Sequence, residues 1–150
     1  MSEKNTPVSG RQSVVSGKHV LVAEDIEVNR LVLEKIMTTL GATCDVAGDG
    51  REALERFVNS QPDEYDLILM DIQMPIMDGY EATKAIRASS HSSALSVPII
   101  AMTASARADD IRNTLRAGMD AHISKPIVLD RMERIIQEVF DRKDKQQCDL

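Results

Sequence analysis

With 150 residues, 43% of them hydrophobic, the chain can bury one globular core and is short for two. Its net charge of −6 and its lack of a Lys/Arg run (only Arg142, Lys143 and Lys145 cluster, interleaved with Asp141 and Asp144) argue against direct nucleic-acid binding, and 3% aromatics with no Trp offer no stacking platform for single strands. The two cysteines, Cys44 and Cys148, form no Cys-x-x-Cys pair, and neither a signal-peptide core nor a membrane-length apolar run is present, which points to a reducing, cytosolic setting without membrane contact by this segment.

Residues 1–17 are rich in Ser, Gly, Gln and charge, lack a period, and read as a flexible arm or linker. Lys18–Ala23 is a short, β-branched apolar run that suits a buried strand, ended by Glu24 and Asp25. Val28, Leu31, Val32, Lys35, Ile36 and Leu40 fall at helical spacing, and Gly41 closes that helix. Ala42–Ala47 reads as a second strand. Gly50 to about Asn59 reads as a second helix, with Ala53, Leu54, Phe57 and Val58 inward. Gln61-Pro62-Asp63 marks a turn. Asp66–Met70 is a third strand that runs into Asp71 and a loop, Gln73 to Gly79, punctuated by Pro75 and Gly79. Tyr80 to about Ser89 is a third helix, and Ser89–Ser96 a polar loop. Val97–Met102 is a fourth strand, with Pro98 near its start, where a proline is tolerated. Arg107 to about Ala117 is a fourth helix closed by Gly118, and Ala121–Ser124 a fifth strand. Leu129–Phe140 is a fifth helix with Leu129, Met132, Ile135, Ile136, Val139 and Phe140 inward, followed by a polar tail over 142–150. The domain proper therefore spans 18–141. Apolar strands alternating with helices require cover on both sides, so the expected fold class is α/β, a doubly wound five-stranded parallel sheet with helices on both faces.

In such a sheet ligands bind outside the carboxyl ends of the strands. Glu24 and Asp25 stand after the first strand, Asp71 after the third, Thr103 after the fourth, and Lys125 with Pro126 after the fifth. Three converging carboxylates repel one another and call for a cation, and hard oxygen ligands suit Mg²⁺. Lys125 supplies a mobile point charge for phosphate oxygens and Thr103 a hydroxyl donor. Asp71 can then act as a carboxylate nucleophile that forms an aspartyl-phosphate. Each residue also has a plain structural role: a helix cap for Glu24-Asp25, a turn for Asp71, a strand end for Thr103, a solvated loop for Lys125. Chance seldom places all four types at four strand ends in this order.

From about Lys18 to Phe140 the chain resembles a two-component response-regulator receiver domain. The segments VLVAEDIEVNR, YDLILMDIQMPIMDGYEATKAIR, PIIAMTA and AGMDAHISKPI carry the resemblance. DIQMPIMDGYEA, with Asp25-x-x-x-Asn29-Arg30, is most similar to receivers attached to hybrid sensor histidine kinases. The resemblance implies a flavodoxin-like (βα)5 fold with strand order 2-1-3-4-5. It implies Asp71 as phosphoacceptor, with Asp25, Asp71 and the Gln73 backbone carbonyl as Mg²⁺ ligands and Glu24 acting through a metal-bound water. Thr103 would move to meet the phosphoryl group, Lys125 would pair with it, and the Lys125–Pro126 bond would be cis. His122 stands where the family often has a Tyr or Phe that changes rotamer on phosphorylation; it occupies the switch position, and this departure from the family pattern also reads as a partly exposed edge histidine. Gln73 and Ser105 sit where the family tunes acyl-phosphate lifetime. A histidine kinase or histidine phosphotransfer domain is the implied phosphodonor, with slow self-dephosphorylation and no further activity of the isolated domain. The face built from the fourth helix, fifth strand and fifth helix is the implied switching surface and the candidate site of a weak dimer.

A haloacid-dehalogenase-like phosphatase is the alternative of another class. It would want a general-acid Asp where Gln73 stands and a capping insertion. A degenerate receiver is opposed by the complete set of Asp25, Asp71, Thr103 and Lys125. The remaining Met residues read as core and loop filler, Cys44 as a buried strand thiol, and His19 and His91 as surface residues. No ATP-binding or phosphotransfer segment is recognised. The expectation is either a free-standing regulator or the receiver of a longer, membrane-anchored hybrid kinase; motif wording and the linker-like arm favour the second.

Overall fold

The computed structural model describes residues 12–104 and 107–148. Each apolar run becomes a strand and each periodic segment a helix: β1 (His19–Ala23), α1 (Glu27–Thr39), β2 (Thr43–Ala47), α2 (Gly50–Val58), β3 (Leu67–Asp71), α3 (Gly79–Ala88), β4 (Ile99–Thr103), α4 (Ala108–Ala117), β5 (Ala121–Ser124) and α5 (Leu129–Cys148). All strand pairs are parallel, in the order β2-β1-β3-β4-β5. This is the expected doubly wound, flavodoxin-like sheet. Strand alternation divides the core in two. Leu21, Ile68, Met70, Ile99 and Ala101 meet Phe57 of α2 and Ile86 of α3 on one face. Val20, Val22, Leu69, Ile100 and Met102 meet Leu33 and Met37 of α1 and Met132, Ile136 and Val139 of α5 on the other.

Helix α1 packs only part of its periodic set on the sheet: Ile36 and Leu40 lie against the core beside Leu33 and Met37. Leu33 and Met37 are the buried residues, while Val28, Leu31 and Val32 are more than half exposed. The helix is apolar on two sides, so the i, i+3, i+4 rule fits both and cannot choose between them. Val58 and Leu129, also expected inward, lie largely at the surface. Both domain boundaries move outward. Val15 is fully buried and the Ser13 hydroxyl donates to Glu133 Oε1 at 2.6 Å, so the expected arm is packed chain from residue 13; its residues 1–11 lie outside those described. Helix α5 continues to Cys148, absorbing most of the expected tail, and Lys143 pairs with Asp120 at 3.1 Å.

Two histidines expected at the surface are instead engaged. His91 packs at a tilt against Phe57, accepts from the Ser93 N–H at Nδ1 and faces the Ser60 carbonyl with Nε2 at 2.9 Å. His19 packs on Tyr65, with Nδ1 on the Glu64 carbonyl and Nε2 3.2 Å from Asp45. Cys44 is half-buried, and burial pushes its thiol up to about 11.

Candidate functional site at the carboxyl end of the sheet

The parallel register brings the ends of β1, β3, β4 and β5 to one edge, where the Ile72 N–H continues the ladder to Met102 and the Lys125 N–H reaches the Thr103 carbonyl at 2.8 Å. A cavity of about 670 Å³ opens there, lined among others by Asp25, Asp71, Gln73, Thr103 and Lys125. Glu24 is fully buried beside it and Asp71 is 5% exposed. Glu24, Asp25 and Asp71 each offer an oxygen within 4.8 Å of the others. The Lys125 ammonium bridges two of them, 3.2 Å from Glu24 Oε1 and 3.2 Å from Asp71 Oδ2. The Lys125–Pro126 peptide bond is cis.

Local bonds aim these groups. The Ile26 N–H donates to Glu24 Oε2 at 3.1 Å and the Gln73 N–H to Asp71 Oδ1 at 3.3 Å. Burial and the Glu24 charge push the Asp71 carboxyl up to about 6, against the pull of Lys125. Burial works to raise Glu24 as well, but the Ile26 N–H and Lys125 outweigh it and hold that carboxyl below its ordinary value. Burial would lower the Lys125 ammonium; Asp71 and Glu24 raise it instead. One ammonium therefore stabilises one buried carboxylate fully and the second only in part. The donor set is oxygen-rich and short of positive charge, which fits a hard divalent cation such as Mg²⁺.

The expected residues Glu24, Asp25, Asp71, Gln73, Thr103 and Lys125 are thus assembled at one edge. His122 is not among those lining the cavity; it is half-buried on β5, opposite Ala101. Ser105 lies outside the described residues. Several neighbours escaped the sequence reading. Arg30 donates from one guanidinium nitrogen to the Glu24 carbonyl at 2.9 Å and the Asp25 carbonyl at 3.2 Å. Asp78, Tyr80 and Asp110 also line the cavity. Asp78 forms a capping box with Glu81, and its Asp-x-x-Glu spacing was a readable signal. Arg30 stands in the Asp25-x-x-x-Asn29-Arg30 motif, but its role on backbone oxygens is visible only in the fold.

The response regulator receiver domain family model matches residues 20–137. The chain is 40% identical over 136 residues to the protein called "Probable histidine kinase 2" of Oryza sativa subsp. indica, covering 83% of this chain and 13% of that one. It is 40% identical over 133 residues to two-component system protein A of Emericella nidulans, covering 88% of this chain and 19% of that one. It therefore spans about an eighth to a fifth of the length of these relatives. Among solved structures it is similar to the receiver domain of a sensor histidine kinase of Pseudomonas aeruginosa, which holds a magnesium ion in its active site cleft. That match has TM-score 0.72 and 38% identity, over 82% of this chain and 97% of the other. It is also similar to the receiver domain of a histidine kinase of Arabidopsis thaliana complexed with Mg²⁺ and BeF₃⁻, with TM-score 0.73 and 33% identity over 85% and 92%.

Proposed function

This chain belongs to the response regulator receiver domain family of two-component systems, and we propose that Asp71 is its phosphoacceptor. The observation that carries the reading is Lys125 Nζ lying 3.2 Å from both Glu24 and Asp71 in a cavity that Asp25 and Thr103 complete. An Asp71 oxygen attacks the phosphorus of a phosphohistidine. The O–P bond forms as the P–N bond breaks, and the electron pair returns to the imidazole, which leaves neutral when its other nitrogen carries a proton. In this reading Lys125 pairs with the new phosphoryl oxygens and Thr103 donates to them. Asp25, Asp71 and the Gln73 carbonyl would hold Mg²⁺, with Glu24 acting through a bound water; when bound, the ion shields the charge of the incoming group. Water slowly hydrolyses the acyl phosphate. With a small phosphodonor and Mg²⁺, the wild type gains acid-stable, base-labile phosphate and Asp71→Asn gains none. Persistent labelling of Asp71→Asn would sink the assignment.

The phosphodonor is a histidine kinase or histidine phosphotransfer domain, and the chain is the receiver portion of a longer hybrid kinase. Similarity to segments of histidine kinases supports this. So does an apolar surface that starts at the site: Ile26 lines the Asp71 cavity, and Val28, Leu31 and Val32 continue from it, exposed, along α1. A donor that brings its histidine to Asp71 covers that surface. Leu31→Glu should slow transfer from a protein donor about tenfold and leave labelling by a small donor unchanged; equal loss with both donors would remove the docking role. The proposed setting is the cytoplasm; no described helix is long and apolar enough to cross a membrane. The proposed switching surface, and the site of a weak dimer, is the α4–β5–α5 face, with His122 as the switch side chain.

A further inference from the structure

The loop that follows Asp71 is held from outside by a glycine of α2. Within the loop, Met77 N–H turns back to the Pro75 carbonyl at 2.7 Å, which puts Ile76 at φ 71°. A β-branched side chain is strained in that left-handed region, and such strain persists only where the surroundings over-determine the backbone. Two close approaches supply that constraint. Gly79 donates to the Ile72 carbonyl at 2.8 Å, closing the loop on itself. Gly50, the first residue of α2, donates to the Met77 carbonyl at 3.0 Å. A Cβ on Gly50 would stand 2.2 Å from Met77 O, 2.9 Å from Met77 C and 3.0 Å from Asp78 O, all backbone atoms that cannot swing aside. The helix end itself is fixed by Asp49, whose side chain accepts from the Glu52 N–H at 2.8 Å.

We infer that Gly50 is a positioning residue for the phosphoacceptor loop: by seating the first turn of α2 directly on Met77, it sets the path of the segment that carries Asp71 and Gln73. This rests on the Asp71 reading and adds to it a residue that touches neither phosphate nor metal. Gly48 provides an internal control. A Cβ there would meet only side-chain atoms at ordinary distances, Arg30 at 3.5 Å and Glu52 at 3.6 Å. Alanine also forms helix better than glycine, so helix propensity works against any loss in Gly50→Ala.

The test is Mg²⁺ binding by calorimetry, with thermal unfolding and small-donor labelling measured on the same preparations. Gly50→Ala should bind Mg²⁺ at least tenfold more weakly, and Gly48→Ala within twofold of wild type. Asp49→Ala, which loosens the helix end without a clash, should lose about threefold; Asp49→Asn, which still caps, should recover it. A folded Gly50→Ala that binds Mg²⁺ within twofold of wild type overturns the inference. If Gly50→Ala does not fold, wild-type affinity in Asp49→Ala overturns it. Failure of the wild type itself to take label on Asp71 would instead remove the underlying functional reading.

Discussion

At the amino end of the sheet one carboxylate, Asp120, is shared by two cations. Arg87 donates to it at 3.0 Å and Lys143 lies 3.1 Å away, while the Ile99 N–H completes its coordination at 2.8 Å. The same Arg87 satisfies the carbonyls of Ala94, Val97 and Gly118, tying α3, the loop before β4 and the turn before β5 together. At the carboxyl end the ratio is reversed: Glu24 and Asp71 share the Lys125 ammonium with Asp25 beside them, and Asp71 is pushed up to about 6. Similar depths of burial thus serve opposite ends. A closed, balanced network holds the layers together, and an unbalanced one keeps a place for a cation and an anion brought from outside.

The sharpest way to break this contrast is to unbalance the first network. Asp120→Ala leaves Arg87 half-buried without its carboxylate and should cost about 3–5 kcal/mol in denaturant unfolding. Mg²⁺ affinity of the folded protein should stay within twofold of wild type. A loss below about 1 kcal/mol would show that the amino-end network is not structural ballast. The second change should run the other way. Asp71→Asn removes a buried charge that Glu24 repels, so the metal-free protein should gain about 1–3 kcal/mol at pH 8 while losing its phosphate acceptance. If Asp71→Asn is instead destabilised, Lys125 already balances this end and the contrast fails.

A pH series refines the same point. The folded-state value of Asp71 is raised from 3.8 to about 6, so between these limits the folded chain keeps a proton that the unfolded chain has released. Its contribution to stability therefore falls as pH rises through that window. Glu24 is lowered and contributes with the opposite sign, but it is present in both wild type and Asp71→Asn. The stability difference between the two should open between about pH 4 and pH 6 and stay constant above. Mg²⁺ affinity of the wild type should rise across the same range, because the cation and the proton compete for Asp71. A difference that does not vary with pH would remove the carboxyl-end imbalance.

The strands were legible because burial on both faces writes continuous apolar runs, and the site was legible because chemistry at strand ends can be inventoried before the fold is known. The inner face of α1 was not. Leu33 and Met37 compete there with an equally periodic set, Val28, Leu31 and Val32, that stays at the surface. The reach of the domain is hidden for a similar reason: Ser13 and Lys143 sit in polar stretches, and only Glu133 and Asp120 across the fold show what they bind. The contacts of Gly50 and Arg30 could not be read from the sequence, although Arg30 belongs to the motif and Gly50 opens the second helix. Both act on backbone carbonyls, whose positions exist only once the chain has folded.

Arg30 gives the smallest expected effect and the one whose sign says most. Its guanidinium holds the carbonyls of Glu24 and Asp25, the two residues that bring acid to the cavity from β1. As a positive charge near a cation site it opposes Mg²⁺, and as a clamp on that loop it favours Mg²⁺ by keeping the carboxylates aimed. The two roles predict opposite outcomes for Arg30→Ala. We expect the clamp to win, with Mg²⁺ affinity falling about threefold and stability by about 1 kcal/mol for the lost hydrogen bonds. Raising the salt screens the charge contribution but not the clamp, so the loss should widen at high ionic strength. An affinity that rises in Arg30→Ala, and returns toward wild type with salt, would make Arg30 a repelling charge. Glu24 would then hold its place through the Ile26 N–H and Lys125.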